Sequence, residues 1–312
     1  MVELPRLTIV IPHLNEPEDL GRCLQSLDVQ RRDLIPFEVV VVDNGSSQSP
    51  CTVCSSFQNI RLEHESTPGP GPARSRGAIL ARAGIVAFID ADCIADTGWV
   101  RGIVEYFDRN MDVDIIAGDI AILRNGGCGV SAVEVYESVF SYRVHLFVER
   151  DHYAATGNMA VRTEVFRKVG PFGGITIAED RDWGRRATAM GFRLSYVPEI
   201  RIFTPPCKTF DELTRRWDRA IAHDFQDFHL KGGGTLRWAL RSAFVAVSPV
   251  ISIQEIIQSN VISGLQERFL AFSCLVRIRL YRARRMLALP FRRNPQALAT
   301  SWNRQQLGDD LK

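Results

Sequence analysis

Ile85-Val86-Ala87-Phe88-Ile89-Asp90-Ala91-Asp92 decides the reading of this chain. Five consecutive apolar residues are of strand length, and two carboxylates close the run. A strand with no polar face belongs to a parallel sheet covered by helices on both sides. The same grammar recurs upstream. Leu7–Pro12 (LTIVIP) and Phe37–Asp43 (FEVVVVD) are β-rich runs, the second ending in Asp43-Asn44-Gly45. Between these runs the spacing turns helical: Leu20, Leu24 and Leu27 within Glu18–Gln30, then Ala73–Ala83. Thr97–Arg109 predicts a further helix with Thr97 as its N-cap, and Val113–Leu123 a further strand. The expected fold is therefore α/β, a Rossmann-like sheet flanked by helices. In such sheets ligands bind beyond the carboxyl ends of the strands, where Asp43, Asp90 and Asp92 fall.

The 312 residues, 46% hydrophobic and 24% charged, exclude disordered, collagen-like and disulfide-scaffold classes. Residues 1–210 carry 22 basic and 27 acidic side chains, net −5, while residues 211–312 carry 16 and 9, net +7. Seven scattered cysteines, with Cys51 and Cys54 the one close pair, read as free thiols rather than a zinc site. No basic and apolar leader precedes Leu7, so no signal peptide is expected. Ser242–Gln254 is uncharged for 13 residues and holds Pro249, short of the roughly 20 a membrane span needs. The expected location is cytoplasmic, peripheral on the inner face of the cell membrane. Beyond residue 150 the alternation weakens into Gly-rich stretches, a helix from Glu179 to Gly191, and short strands at Phe192–Val197 and Ile200–Phe203. Phe210–Leu230 reads as a helix rich in Arg, Trp and His. A catalytic domain over 1–230 and a helical, basic extension over 235–312 are expected.

Asp90-Ala91-Asp92 serves either as a strand-terminating turn or as a clamp on a hard cation bridging phosphates. Asp43 suits a pyrimidine ring N–H or a ribose hydroxyl, although Asn44-Gly45 is also a strong turn. Gly69–Gly77 (GPGPARSRG) opens a helix with Arg74 and Arg76 in its first turns, where cations oppose the macrodipole and need an anionic partner such as a nucleotide phosphate. Glu179-Asp180 suits either a favourable helix start or a general base.

Together IVIPHLNE, VVVVDNGSS, GPGPARSRG, FIDADC, TGNMAVRTEVF, AEDRDWGRRATAMGF and RRW occur in the order seen in family-2 glycosyltransferases, and residues 5–225 resemble that family. The resemblance implies the GT-A fold, a nucleotide-diphosphate sugar donor, and inverting transfer aided by Mg²⁺ or Mn²⁺. It places Pro12, Asn15 and Glu16 around the nucleoside, Asp43 on the base, Arg74 by the donor, Asp92 on the metal and Asp90 on ribose or metal. It makes Asp180 the catalytic base, with Glu179 beside it, and sets Asn158 toward the acceptor. Arg215 and Arg216 would neutralise the leaving diphosphate, and Trp217 would stack on the acceptor sugar. His223, six residues after Trp217, is a candidate third metal ligand, with a core or surface histidine as the alternative. His13 departs from the small residue or Thr usual there, and Glu212 replaces the Gln of the processive polymerases' Gln-x-x-Arg-Arg-Trp, so a polymer-extruding synthase is not expected.

Arg268–Arg293 holds eight arginines and no acid, interleaved with Phe269, Leu275, Leu280 and Leu287. That pattern suits an anionic membrane surface or a helix packed on the catalytic domain with a solvated basic face, and no nucleic-acid module is visible. The expected function is transfer of a single sugar, from a UDP-sugar, to a lipid-linked or saccharide acceptor. Two other classes share parts of the pattern. A nucleotidyltransferase would carry a Gly-rich loop where Pro12–Glu16 stands, and a non-catalytic scaffold would bind the donor without turnover.

Overall fold

The computed structural model describes residues 4–124, 129–230 and 232–291. Eight strands form one sheet: β1 Leu7–His13, β2 Phe37–Asp43, β3 Ile60–His64, β4 Ile85–Ile89, β5 Ile94–Ala95, β6 Ile115–Ile122, β7 Asn158–Arg162 and β8 Leu194–Thr204. Their order is β3-β2-β1-β4-β7-β6-β8-β5. The first four are parallel, whereas β7 runs antiparallel to both β4 and β6, which makes the sheet mixed. The apolar runs are buried as their composition demands: every residue of β4 is inside, and Val39–Val42 are at most 1% exposed.

Two local expectations give way. The helix after β5 starts at Trp99, and its cap is Gly98 at φ 79°, not Thr97. Glycine carries that left-handed backbone without a Cβ clash, so the chain turns there instead of at the hydroxyl. The two short strands foreseen around residues 192–203 are one strand, β8, running through Pro198.

Chain contacts form two compact units. One is the chain up to Ala121 with Tyr142–Thr204; the other is Ile122–Ser141 with the chain from Pro205 onward. Helix Phe210–Leu230, expected within a domain spanning 1–230, falls in the second compact unit. Leu213 is the reason, because it is buried with Tyr136, Leu275 and Ile278 in that unit's own core. Helix Gly264–Ala288 is the core element of this unit, and Trp238 Nε1 and Ser242 Oγ donate to its Met286 and Ala283 carbonyls at 2.8 and 2.7 Å.

Three of its arginines are held by the fold. Arg285 makes a bidentate pair with Asp218, Arg277 lies over Phe210, and Arg268 donates to the carbonyls of Ile256 and Ile257. Over the described part the helix packs within its own unit, while Arg292 and Arg293 lie outside the described residues. Among the described residues no helix is long and apolar enough to cross a membrane, and the described cysteines are free thiols.

Candidate active site

Parallel pairing brings the sequence-distant acids to one edge. His13 ends β1 in register with Asp43 at the end of β2, Asp43 is in register with His64 of β3, and Asp90 follows β4 on the other side of β1. The chain thus departs from β1 in opposite directions toward β2 and β4, which opens a crevice at the strand ends.

Asp43 is 7% exposed and one of its oxygens is saturated. Oδ1 accepts from the Ser46 backbone N–H at 3.3 Å and the Ser46 hydroxyl at 2.5 Å, and lies 3.4 Å from His13 Nδ1. His13 Nε2 accepts from the Glu16 backbone N–H at 3.3 Å, so the ring proton sits on Nδ1, facing Asp43. Burial pushes the His13 pKa down despite that carboxylate, so the ring is neutral. Asn15, at φ 58°, accepts from Ser47 N and Oγ through its Oδ1, tying the loop after β1 to the loop after β2. The departure at position 13 is thereby explained: His13 fixes the carboxylate that its neighbour strand presents. Pro12 and Glu16 are half-buried on the same edge.

The second cluster is built around Arg74, whose side chain is 5% exposed. Its Nη2 donates to Asp90 Oδ1 at 2.5 Å and its Nη1 to Glu179 Oε1 at 3.0 Å. Burial opposes its charge, but Asp90 and Glu179 outweigh that and hold its pKa above the ordinary value. Arg74, expected beside the donor, has its fork engaged by two protein carboxylates, one at a strand end and one in the first turn of helix Glu179–Ala189. Arg76 is exposed and pairs with Glu63. Gly157 backs Asp90 so closely that a Cβ there would lie 2.9 Å from Asp90 Oδ2.

Two further carboxyls remain near this guanidinium's partners. Asp92 has its pKa raised to about 6, by burial first and the neighbouring Asp90 second, and its Oδ1 accepts from Cys93 Sγ. Asp180 is likewise pushed up to about 6, by burial and then by Glu179. Its Oδ1 accepts from the Arg181 backbone N–H at 2.7 Å, leaving Oδ2. These residues fit a hard divalent cation. Their donors are carboxylate oxygens, and Asp92 keeps a carboxylate disfavoured by burial that a cation would relieve. Among the described residues no group of three or more His, Cys, Asp or Glu is placed to hold a metal ion.

Asn158 is corrected. It is 2% exposed; Nδ2 donates to Asp119 O and Ile200 O, and Oδ1 accepts from Trp99 Nε1. It ties the sheet together from a buried position, with both its donors used within the fold. In the second unit, Arg216 donates to the buried carboxylate of Glu137 at 2.7 Å, and the Trp217 ring carries the Arg282 guanidinium at 3.5 Å. Both are thus engaged by side chains of their own unit. Arg215 is exposed and His223 half-buried on the same helix. What the local pattern did not disclose is the role of His13 and Ser46 as holders of Asp43, and the Arg74–Glu179 pair, whose members lie 105 residues apart.

Comparison with known proteins now has a geometry to meet. The family model for glycosyl transferase family 2 matches residues 8–170. The glycosyltransferase AglE of Haloferax volcanii is 31% identical over 222 residues, covering 68% of this chain and 71% of that one. The mannosyltransferase PcManGT of Pyrobaculum calidifontis, solved with GDP-Man and Mn²⁺, superposes with a TM-score of 0.56 at 17% identity over 99% of this chain and 88% of that one. TarS of S. aureus superposes with a TM-score of 0.52 at 16% identity over 91% of this chain, which spans 55% of TarS. Order of motifs, sheet topology and these similarities converge, and the chain belongs to the family-2 glycosyltransferases, enzymes of the GT-A fold.

Proposed function

We propose that this glycosyltransferase moves one sugar from a UDP-sugar to a hydroxyl of a lipid-linked or saccharide-precursor acceptor, with inversion at the anomeric carbon. The observation that carries this reading is the Arg74 bridge, which ties the Asp90–Asp92 strand end to the helix that starts with Glu179 and Asp180. A donor-side and an acceptor-side carboxylate thus share one rigid cation. Solved structures of similar fold hold UDP-GlcNAc in TarS and GDP-Man with Mn²⁺ in PcManGT, in keeping with a nucleotide-sugar donor and a divalent cation here. Asp43, fixed through Oδ1, has its other oxygen 3.6 Å from His64 Nδ1 and would offer that oxygen to the uracil ring N–H, flanked by Pro12, Asn15 and Glu16.

In the transfer step the acceptor oxygen bonds to C1 of the sugar as the bond from C1 to the diphosphate oxygen breaks. The electron pair leaves with UDP. Asp180 Oδ2 takes the acceptor's proton, a role suited to a carboxyl raised to about 6 and therefore basic yet ionised at neutral pH. Asp92, with help from Asp90, would hold the cation, which when bound supplies positive charge to the departing diphosphate. Arg74 holds Glu179 beside Asp180, whose pKa that neighbouring carboxylate raises while Arg74 and Arg181 pull it back.

A screen of UDP-sugars for turnover, with Mg²⁺ or Mn²⁺ and with excess chelator, tests this reading. Turnover is expected only with the cation, and Asp92→Asn, which keeps size and loses charge, is expected to be folded and inactive. Full turnover in chelator, or an active Asp92→Asn protein, contradicts it.

A further inference from the structure

The second unit carries an apolar surface that its own packing leaves open. Helix Thr235–Val247 buries Trp238, Ser242 and Val245. Its other side presents Leu236, Leu240, Phe244 and Val247, which are 59–75% exposed. At 100° per residue these four fall within one 80° stripe. The turn after Pro249 extends the surface with Val250 and Ile251, 71% and 66% exposed. Single exposed apolar residues are ordinary, whereas a continuous patch of this kind marks a binding face.

Charge indicates what covers it. Arg237 and Arg241 are exposed and stand along one border of the stripe, about 20° and 60° beyond its edge, Arg241 being 47% exposed while it pairs with Asp224 at 3.4 Å. Between Phe228 and Gln266 the chain has a single acid, Glu255. A second copy seated on this face would set arginine borders against each other with almost no acid to pair them. An anionic lipid surface matches both the apolar stripe and its cationic border. With 13 residues, about 20 Å long, the helix is too short to span the roughly 30 Å hydrocarbon core and suits an in-plane position.

We infer that the Leu236–Ile251 face docks the protein on an anionic bilayer. This moves the membrane contact from the arginine-rich helix Gly264–Ala288, whose Arg268, Arg277 and Arg285 are occupied within the unit, to the acid-poor hairpin before it. In purpose the inference rests on the proposed lipid-linked acceptor, because docking raises the local concentration of membrane-held substrate. The face itself is defined without that reading.

The test is co-sedimentation of the full chain with phosphatidylcholine vesicles, with and without phosphatidylglycerol. A variant with Leu240→Ser, Phe244→Ser, Val250→Ser and Ile251→Ser removes apolar area only at exposed positions, and its melting temperature reports folding. A second variant, Arg237→Gln with Arg241→Gln, removes the border. The wild type is expected to bind phosphatidylglycerol vesicles, the serine variant at least about tenfold more weakly, and the glutamine variant without its preference for anionic lipid. Undiminished binding by a folded serine variant overturns the inference. So does a wild type that ignores both vesicles, including one that forms a dimer which the serine variant dissolves. UDP-sugar turnover in the same samples keeps the two readings apart: vesicle binding without turnover removes only the transferase proposal, and turnover without vesicle binding removes only this one.

Discussion

The strand-edge site and the arginine-rich helix Gly264–Ala288 are both dense in charge, yet they hold charge in opposite ways. On the helix, Arg285 is matched by Asp218 with two bonds of 2.7–2.8 Å, and Arg124 of the same unit meets Glu267 at 2.6 Å. At the strand edge Asp92 and Asp180 are both raised to about 6, because burial and a neighbouring carboxylate are only partly offset. Arg282 is the helix's exception: burial and then Arg279 lower it to about 10, and it lies on the Trp217 ring face. Matched charges hold a fold, whereas carboxylates kept above their ordinary pKa mark where a proton or a cation is to be received.

The largest effect that would sharpen this contrast is on catalysis. Asp180→Asn is expected to lower transfer by about 10²–10⁴-fold, the usual worth of a general base, with donor affinity nearly unchanged. Isothermal titration with UDP and steady-state assay separate the two. A variant that loses UDP binding but transfers normally at saturating donor would move the role to Glu179.

Next comes stability. Arg74→Ala strands Asp90 and Glu179 beside a vacated buried position, and a loss of about 3 kcal/mol in urea unfolding is expected, with activity lost as well. Arg285→Ala removes a pair whose arginine is 24% exposed, and about 1 kcal/mol or less is expected. Equal costs would erase the difference between the two regions.

A smaller effect has the opposite sign. Asp92 and Asp180 have folded pKa values of about 6 against an ordinary 3.8. Each therefore contributes stability that is fully present below about 3.8 and is lost as pH rises through about 6. At pH 7.5 without cation, Asp92→Asn or Asp180→Asn should stabilise the protein by about 1–2 kcal/mol, allowing for coupling to the neighbouring carboxylates. The gain should vanish near pH 4. Destabilisation at pH 7.5 would show that these carboxylates are matched after all.

The same contrast explains what could be read without coordinates. Phe37–Asp43 and Phe210–Leu230 stand in the structure as their patterns foretell, because burial on both faces and a 3.6-residue period are local properties. The acids at the strand ends are equally legible, since parallel strands must deliver them to one edge. Arg74 was not, because the same residue type answers a phosphate or a carboxylate, and its partner Glu179 is 105 residues away. Asn158 reads as a polar residue in a Gly-rich motif, yet β7 carries it into the sheet where Trp99, Asp119 and Ile200 take both its donors and one of its two acceptor sites. The basic tail reads as a membrane element by composition, while in the structure Asp218 and Phe210 engage Arg285 and Arg277 of its helix, and the acid-poor segment before it carries the exposed apolar stripe.

The pH–rate profile of sugar transfer at saturating donor and cation, measured for the wild type and for Asp180→Asn, tests the central claim most directly. Protonation of Asp180 removes the base, so the wild-type rate should fall tenfold per unit as pH drops below about 6. The residual rate of Asp180→Asn should lack that limb. A limb of the same midpoint in Asp180→Asn would contradict the account, because another group would then be taking the acceptor's proton.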